Sequence, residues 1–502
     1  MSTVYSDYSR DRIGWFFGLS GPKLAILVVT GFPVLLAIQG HRWSAALIAV
    51  GVFALVVVLV VVRVRGRSSV GWVWASVCFL TAGLTGARSF TSRAARGAAG
   101  DLGAVDLPGV LQGLEILDGP PTGPSQSRPA IICNHAAGTW AATATVVHPG
   151  IGMLGIDDRR RHGAGLGRLL DLAVRTELVD ELIVVVRTVP DDGAEREIWV
   201  AQHRNPDAHP LPGRVNADLA QFVTPVCVRT ETFVTFVVPE SRIGRDARES
   251  GGGLPGRARV MCSLMAELEA ELRGGLGMSE VRWLSSPELA LATRTGFAPG
   301  DRASVIAAHA AHATDPGVNA EVPWAIAGPS GADHAVRHYR HDAWHTISET
   351  ITLPSRGAVL GALAPVLTPS AAGERRSLMV CYPVLTATRA ERTSDNAEFA
   401  ADMGAELRRV ARVKPRARHR VDAARAEQMD AKLATGNAMT RPYAVATVTV
   451  PAVMPIDEYG RRLDGAVRRA GYAPLRLDLA QDAGFAAGCL PLGIGLTRKG
   501  LW

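Results

Sequence analysis

The hydrophobic pattern divides the chain into two unlike parts. Residues 24–39 (LAILVVTGFPVLLAIQ) are apolar but for one Thr and a terminal Gln, and 45–62 (AALIAVGVFALVVVLVVV) carry no charged or polar side chain. Each run approaches the length that crosses a hydrocarbon core of about 30 Å. The short break Gly40-His41-Arg42-Trp43 sends the second helix back antiparallel to the first, because backbone groups in lipid must be bonded within the helix. A signal peptide does not fit, since no A-x-A-like site follows the first run and the second is longer and more apolar than a signal core. Arg10, Arg12 and Lys23 precede the hairpin, Arg63, Arg65 and Arg67 follow it, and the loop offers only Arg42. That bias predicts both ends on the cytoplasmic side of an inner membrane. A third apolar segment, Val70 to Ala87, is broken by Gly71, Gly83 and Gly86. It reads as an interfacial helix with Trp72 and Trp74 at headgroup level; as a third crossing it would place the rest of the chain outside.

After a Gly-rich linker at 97–103 the pattern changes to mixed α and β. Strand-like runs fall at 110–117, 129–133 and 139–147, and a helix from Asp157 to about Val179 presents Leu166, Leu169, Leu170, Ala173 and Val174 on one face. Strand–helix units follow: strand 181–189 with helices within 194–223, strand 230–238 with helix 257–273, and strand 280–284 with helix 286–294. Beyond a loop-rich stretch come strands near 346–353 and 375–384, helices across 393–434, strand 443–450, helix 456–471 and strand 474–479. This rhythm predicts an α/β fold, an α+β sandwich in two lobes with helices on one face of each sheet, preceded by the N-terminal transmembrane α-hairpin. The regions are a cytoplasmic N-terminus (1–23), the hairpin (24–62), an interfacial segment and linker (63–103), a first lobe (104–295), a loop-rich connection (296–345) and a second lobe (346–502). No short sequence repeat is visible.

Composition changes this picture little. The net charge of +7 is carried almost wholly by arginine, with only Lys23, Lys414, Lys432 and Lys499 as lysines. Arginine- and alanine-rich usage of this kind gives no nucleic-acid role by itself. The cysteines (Cys78, Cys133, Cys227, Cys262, Cys381 and Cys489) are scattered without a C-x-x-C pair. They read as reduced core residues, not as a disulfide framework or a zinc site.

The search for chemistry yields mostly exclusions. The dipeptide Gly-Lys occurs nowhere, so no P-loop exists to hold nucleotide phosphates. Gly163-Ala164-Gly165-Leu166-Gly167 lacks the dinucleotide spacing and reads as a flexible helix start. His338, His341, Asp342 and His345 would share one face of a helix, a geometry that a metal could use, although Arg337 and Arg340 oppose a cation. Asp191, Asp192, Glu195 and Glu197 follow a strand, where paired carboxylates do acid–base work, but they also read as a turn with Asp192 as N-cap and Glu195 behind it. No G-x-S-x-G elbow or H-E-x-x-H motif occurs. The expectation is therefore no catalytic residue, no cofactor and no metal. Arg63, Arg65 and Arg67 and the densest basic run, with Arg409, Arg412, Arg416 and Arg418, are the candidates for contact with a partner or with membrane lipid; nucleic acid is a further candidate partner of that run.

Two stretches carry a resemblance. Tyr5-Ser6-Asp7-Tyr8 through Arg12-Ile13-Gly14-Trp15-Phe16-Phe17-Gly18-Leu19-Ser20, leading into the hairpin, resembles actinobacterial integral membrane proteins of type IV secretion-like clusters, with a hairpin similar in layout to their PrgI-type subunit. Ala431-Lys432-Leu433-Ala434-Thr435-Gly436-Asn437, then Gln481-Asp482-Ala483-Gly484-Phe485 and Leu490-Pro491-Leu492-Gly493, resembles the end of the N-terminal, non-nucleotide domain of conjugative-transfer ATPases. The resemblance implies a non-enzymatic inner-membrane scaffold that docks a separate P-loop ATPase and other subunits of a secretion or DNA-transfer machine. EccE of type VII secretion is similar in architecture and is the neighbouring reading. A membrane-tethered enzyme using the Asp191/Asp192/Glu195 edge or the histidine cluster is the alternative from another class.

Overall fold

In the computed structural model, the described residues are all but 1–3, 6–20, 62, 65–66, 87, 99, 124–125, 151–153, 191–192, 206, 208, 224–227, 353–357, 360, 396–416 and 497–502. The chain opens with β1 (Val4–Tyr5), α1 (Gly21–Gln39), α2 (Trp43–Val61), the short strands β2 (Arg63–Val64) and β3 (Arg67–Ser68), and α3 (Ser69–Leu84). There follow β4 (Ser89–Thr91), β5 (Leu114–Asp118), β6 (Ala130–Asn134), β7 (Thr139–Val147), α4 (Ile156–Arg175), β8 (Glu181–Pro190), α5 (Ala194–His203), α6 (Pro210–Val223), β9 (Val228–Pro239), α7 (Glu240–Glu249), α8 (Gly253–Gly274), β10 (Glu280–Trp283) and α9 (Ser286–Phe297). Next come α10 (Arg302–His312), α11 (Trp324–Ala327), β11 (Gly331–His334), β12 (Tyr339–His341), β13 (Trp344–Thr352), β14 (Ala358–Val359) and β15 (Arg375–Pro383). A helical stretch, α12 (387–395), precedes α13 (Ala417–Ala434), β16 (Tyr443–Pro451), α14 (Ile456–Arg469), β17 (Ala473–Arg476) and α15 (Gln481–Cys489).

Instead of two lobes with a sheet each, a single 13-stranded sheet runs through both halves in the order β4-β11-β12-β13-β16-β15-β8-β9-β7-β6-β5, with β10 on β7 and β17 on β13. The join is β8 against β15, where Val185 lies opposite Met379. Around this pair both strands are apolar on both faces, Leu182–Val186 in β8 and Leu378–Cys381 in β15, while their ends carry buried polar residues such as Arg187 and Arg375. The stretch expected to be loop-rich holds α10, α11, β11 and β12.

Register shows that the halves are built alike around the Val185–Met379 pair. Pro239 ends β9 opposite Thr139 of β7, and Pro451 ends β16 opposite Trp344 of β13. Trp283 of β10 faces Ala144, and Arg476 of β17 faces Glu349. Each half thus repeats the sequence of strands β5-β6-β7-β8-β9-β10 as β11-β12-β13-β15-β16-β17, ending in α9 or α15. β4, added outside β11, and the two-residue β14, which pairs with β1 outside this sheet, have no counterpart.

Alternate residues of the strands face opposite ways. Ala141, Ile183, Val185, Val237, Met379 and Val445 point into one common core with Phe297 of α9 and Phe485 of α15. On the other face, Ala142, Leu182 and Phe236 pack under α4 and α8, and Ile347, Ala446 and Val448 pack under α14. One helix pair therefore spans the join, and each half covers its own reverse side.

The run 163–167 does not start a helix. It lies inside α4, and Gly165 meets the 275–276 backbone so closely that a Cβ there would stand 2.0 Å from the Gly275 carbonyl oxygen.

The N-terminal expectation is corrected. α1 and α2 form and reverse tightly through Gly40–Arg42, but among the described residues no helix is long and apolar enough to cross a membrane. A crossing takes about 20 consecutive apolar residues; α1 is interrupted by Thr30 and Pro33 and ends in Gln39. The assignment of the chain to an inner membrane, with its main domain on the cytoplasmic side, falls with that hairpin. α3, where an interfacial helix was expected, sets Phe79 edge-on to His334 of β11 at 5.3 Å, with the Arg88 guanidinium over the Phe79 ring.

Candidate docking surface

The helical face that a metal could have used does not form, because its residues lie on a hairpin. His341 ends β12, wholly buried, with Nε2 2.8 Å from the Thr346 hydroxyl. Burial first, and then the Arg375 charge, hold its pKa well below the usual histidine value. Asp342 turns away to accept the Ser330 amide at 2.7 Å and an Arg294 contact at 3.2 Å, while the His338 and His345 rings lie tilted together 5.3 Å apart. Among the described residues no group of three His, Cys, Asp or Glu side chains is placed to hold a metal.

Of the carboxylate edge after β8, only Glu195 and Glu197 are among the described residues. Asp191 and Asp192 lie outside the described residues, and the N-cap of α5 is Gly193, at φ +74°. Glu195 is occupied by two guanidinium groups, Arg229 at 2.5 Å and Arg302 at 2.7 Å. Of the basic candidates, Arg63 and Arg67 fall on the β2–β3 pair and Arg418 lies in α13. Arg65, Arg409, Arg412 and Arg416 lie outside the described residues.

The polar residues inside the molecule hold it together. Arg187, 1% exposed, donates to Glu231 at 2.7 Å and to the carbonyls of Ala292 at 2.9 Å and Cys489 at 3.1 Å. It thereby ties α9 and α15 to the central strand. Arg375 donates to the Thr295 carbonyl and to the Thr449 hydroxyl, which continues through Thr346 to His341. The described cysteines Cys78, Cys133, Cys262, Cys381 and Cys489 are free thiols; burial, then Glu115, pushes Cys133 up to about 12.

Glu349 has a measurable consequence. Its carboxyl is fully buried, neither oxygen has a hydrogen-bond partner of ordinary geometry, and burial followed by the facing Asp464 raises its pKa to about 10. Burial would raise Asp464 as well, but Glu349 and Arg476 hold it below the usual carboxylate range. Glu349 is therefore protonated in the folded state and ionised in the unfolded state between the ordinary glutamate pKa and about pH 10. In that window the folded state binds the extra proton, so stability falls as pH rises, by up to about 1.4 kcal/mol per unit. Glu349→Gln is expected to flatten urea midpoints measured from pH 5.5 to 8.5 and to raise them most at the alkaline end. Parallel wild-type and variant profiles would refute the assignment.

The surface feature that the sequence pattern did not mark as a site is α5–α6, an excursion between β8 and β9. On α6, Leu211, Val215, Leu219 and Phe222 recur at helical spacing on one face, exposed by 55%, 57%, 51% and 74%. Trp199 of α5 is exposed as well, stacked on His203 at 4.4 Å. The pair is fixed from behind, by Arg196 donating to Asn216 and by the Arg302–Glu195 contact from α10. The spacing was legible in the sequence, but whether the stripe faced the core was not. No protein-family model matches the chain, and no curated protein matches it.

Proposed function

We propose that this chain is a non-catalytic docking subunit of a secretion or conjugative DNA-transfer machine, and that α5–α6 holds a separate P-loop ATPase. The observation that carries the reading is the α6 stripe. Contiguous exposed apolar surface of this kind marks a protein-interaction site, and a helix face with anchors four residues apart suits a groove on a partner.

Support for the identity of the partner comes from the C-terminal resemblance, four of whose residues, Gln481, Phe485, Pro491 and Gly493, pack where the domain closes. Gln481 clamps β13, accepting the Ser348 amide at 2.7 Å and donating to its carbonyl at 3.2 Å. Phe485 sits among Phe297, Tyr339 and His341. The Pro491 carbonyl accepts the Thr143 hydroxyl from the other half. Gly493, at φ +71°, passes so close to β7 that a Cβ would stand 2.9 Å from Ala141. A domain closed in this way fits the role of the non-nucleotide domain that such ATPases carry, supplied here on a separate chain.

The test is recovery of an affinity-tagged chain from its native cells. The wild type is expected to bring down a P-loop ATPase that lacks its own N-terminal domain. Leu219→Asp combined with Phe222→Asp is expected to reduce that recovery at least about ten-fold, since buried apolar anchors each contribute roughly 1–2 kcal/mol to an interface. The melting temperature should stay unchanged because both side chains are exposed. Absence of an ATPase, or equal recovery with the variant, overturns the proposal.

A further inference from the structure

The sheet ends at β4 on one side and at β5 on the other, and a cleft of about 480 Å³ lies between β4 and the segment that precedes β5. It is lined by Ser89, Phe90 and Thr91 of β4, by Arg93 and Arg96 beyond it, and by the segment Val105 to Gly113 that leads into β5. The volume is within the range of pockets that take small ligands or short peptide segments.

The backbone of β4 is half used. The Ser92 amide donates to Ser330, and the His334 amide donates to the Arg88 carbonyl. In an antiparallel ladder bonding residues alternate, so Ser92, Phe90 and Arg88 face β11, while Ser89, Thr91 and Arg93 face away from it. Along this outer edge the Arg93 amide is already taken by the Asp106 carboxylate at 2.5 Å, and the Arg93 guanidinium donates to the Val105 carbonyl at 3.1 Å. The next outward groups, the Thr91 amide and carbonyl, border the cleft. Thr91 and Arg96 are exposed, and Arg96 has no ion pair among the described residues.

We infer that this cleft binds an extended, acidic segment of a partner protein, which adds to β4 as a further strand. Main-chain bonds to an open sheet edge supply affinity in such additions, and side-chain pockets supply selectivity. The chain itself shows the chemistry, because its own Asp106 carboxylate occupies the neighbouring outward amide. The charge at the cleft rim sets the preference: Asp106 offsets Arg93, and Arg96 adds an unneutralised positive charge. This inference does not depend on the ATPase reading and uses none of the residues of α5–α6.

The experiment uses the purified full chain with two fluorescein-labelled octapeptides, one alternating Glu and Val and the other alternating Lys and Val. In fluorescence anisotropy the Glu/Val peptide is expected to bind at least about ten-fold more tightly than the Lys/Val peptide. Arg96→Glu, at an exposed position, is expected to weaken Glu/Val binding about five-fold. Thr91→Pro, which removes the outward amide without removing a β4–β11 bond, is expected to weaken it about as much. Hydrogen exchange over 88–96 should slow on saturation with the Glu/Val peptide. Equal binding of the two peptides, unchanged binding in Arg96→Glu, or unchanged exchange over 88–96 overturns the inference. Tighter binding of a single-stranded oligonucleotide than of the Glu/Val peptide overturns it too, since the arginines would then serve phosphates.

Discussion

Replacing Arg187 with alanine is expected to lower the unfolding free energy by about 3–5 kcal/mol, the cost of removing one partner from a buried ion pair. The guanidinium is 1% exposed and satisfies three groups at once: the Glu231 carboxylate and the carbonyls of Ala292 and Cys489. Those carbonyls belong to α9 and α15, the helices on the common core. Although burial raises the pKa of Glu231, Arg187 beside it holds it below the usual carboxylate range. That depressed value stabilises the fold above the unfolded pKa and is lost as pH falls through the folded one. The penalty in Arg187→Ala should therefore be larger at pH 7 than at pH 4. A second change, Glu231→Gln, should recover part of the loss at pH 7 by removing the stranded charge. Urea titrations at the two pH values measure all of this; a loss below about 1 kcal/mol at pH 7 would show that the network is dispensable.

Gly165→Ala is expected to cost about 3 kcal/mol, at the upper end of what overpacking usually costs. Most helix positions gain from such a change because alanine is the better helix former. Here the added carbon would stand 2.0 Å from the Gly275 carbonyl oxygen and 2.5 Å from its carbon, and backbone cannot rotate aside as a side chain does. α4 must separate from α8, opening the core that Leu169, Ala173, Leu264 and Leu268 form. Gly167, in the same helix, has open space around its Cβ position, so Gly167→Ala serves as the control and should be neutral or stabilising. Equal midpoints for the two variants would mean that α4 and α8 do not pack this closely.

The long strands and amphipathic helices were legible because a period of two or of 3.6 is a local property. The strand read at 139–147 is β7 with the same bounds, and helix 456–471 is α14 ending two residues sooner. Short elements escaped: β4 has three residues and α11 four, too few for any period to appear; the eleven-residue α10 also lay in what read as loop. The helical alternative for the histidine cluster does not form, for a related reason. Spacing places 338, 341, 342 and 345 together only on a helix, and Asp342 at φ +48° instead turns a hairpin there. The glycine run was seen, but its purpose depended on Gly275, more than a hundred residues away in sequence.

The sequence by itself determined where most strands and helices lie, the absence of a P-loop, and a set of cysteines without the spacing of a metal site. These follow from side-chain periodicity and from motifs whose chemistry is contained in a few neighbouring residues. The tertiary structure decided that the two halves share one sheet joined at Val185 and Met379, that Arg187 is a buried tie, and that the α6 stripe and the outer edge of β4 remain uncovered. It also removed the membrane-crossing hairpin from the picture. The hairpin fell on the length and apolarity of the helices themselves. Each of the other outcomes depends on which surface meets which across long stretches of chain, and a hydrophobic pattern specifies that a face is apolar without specifying what covers it.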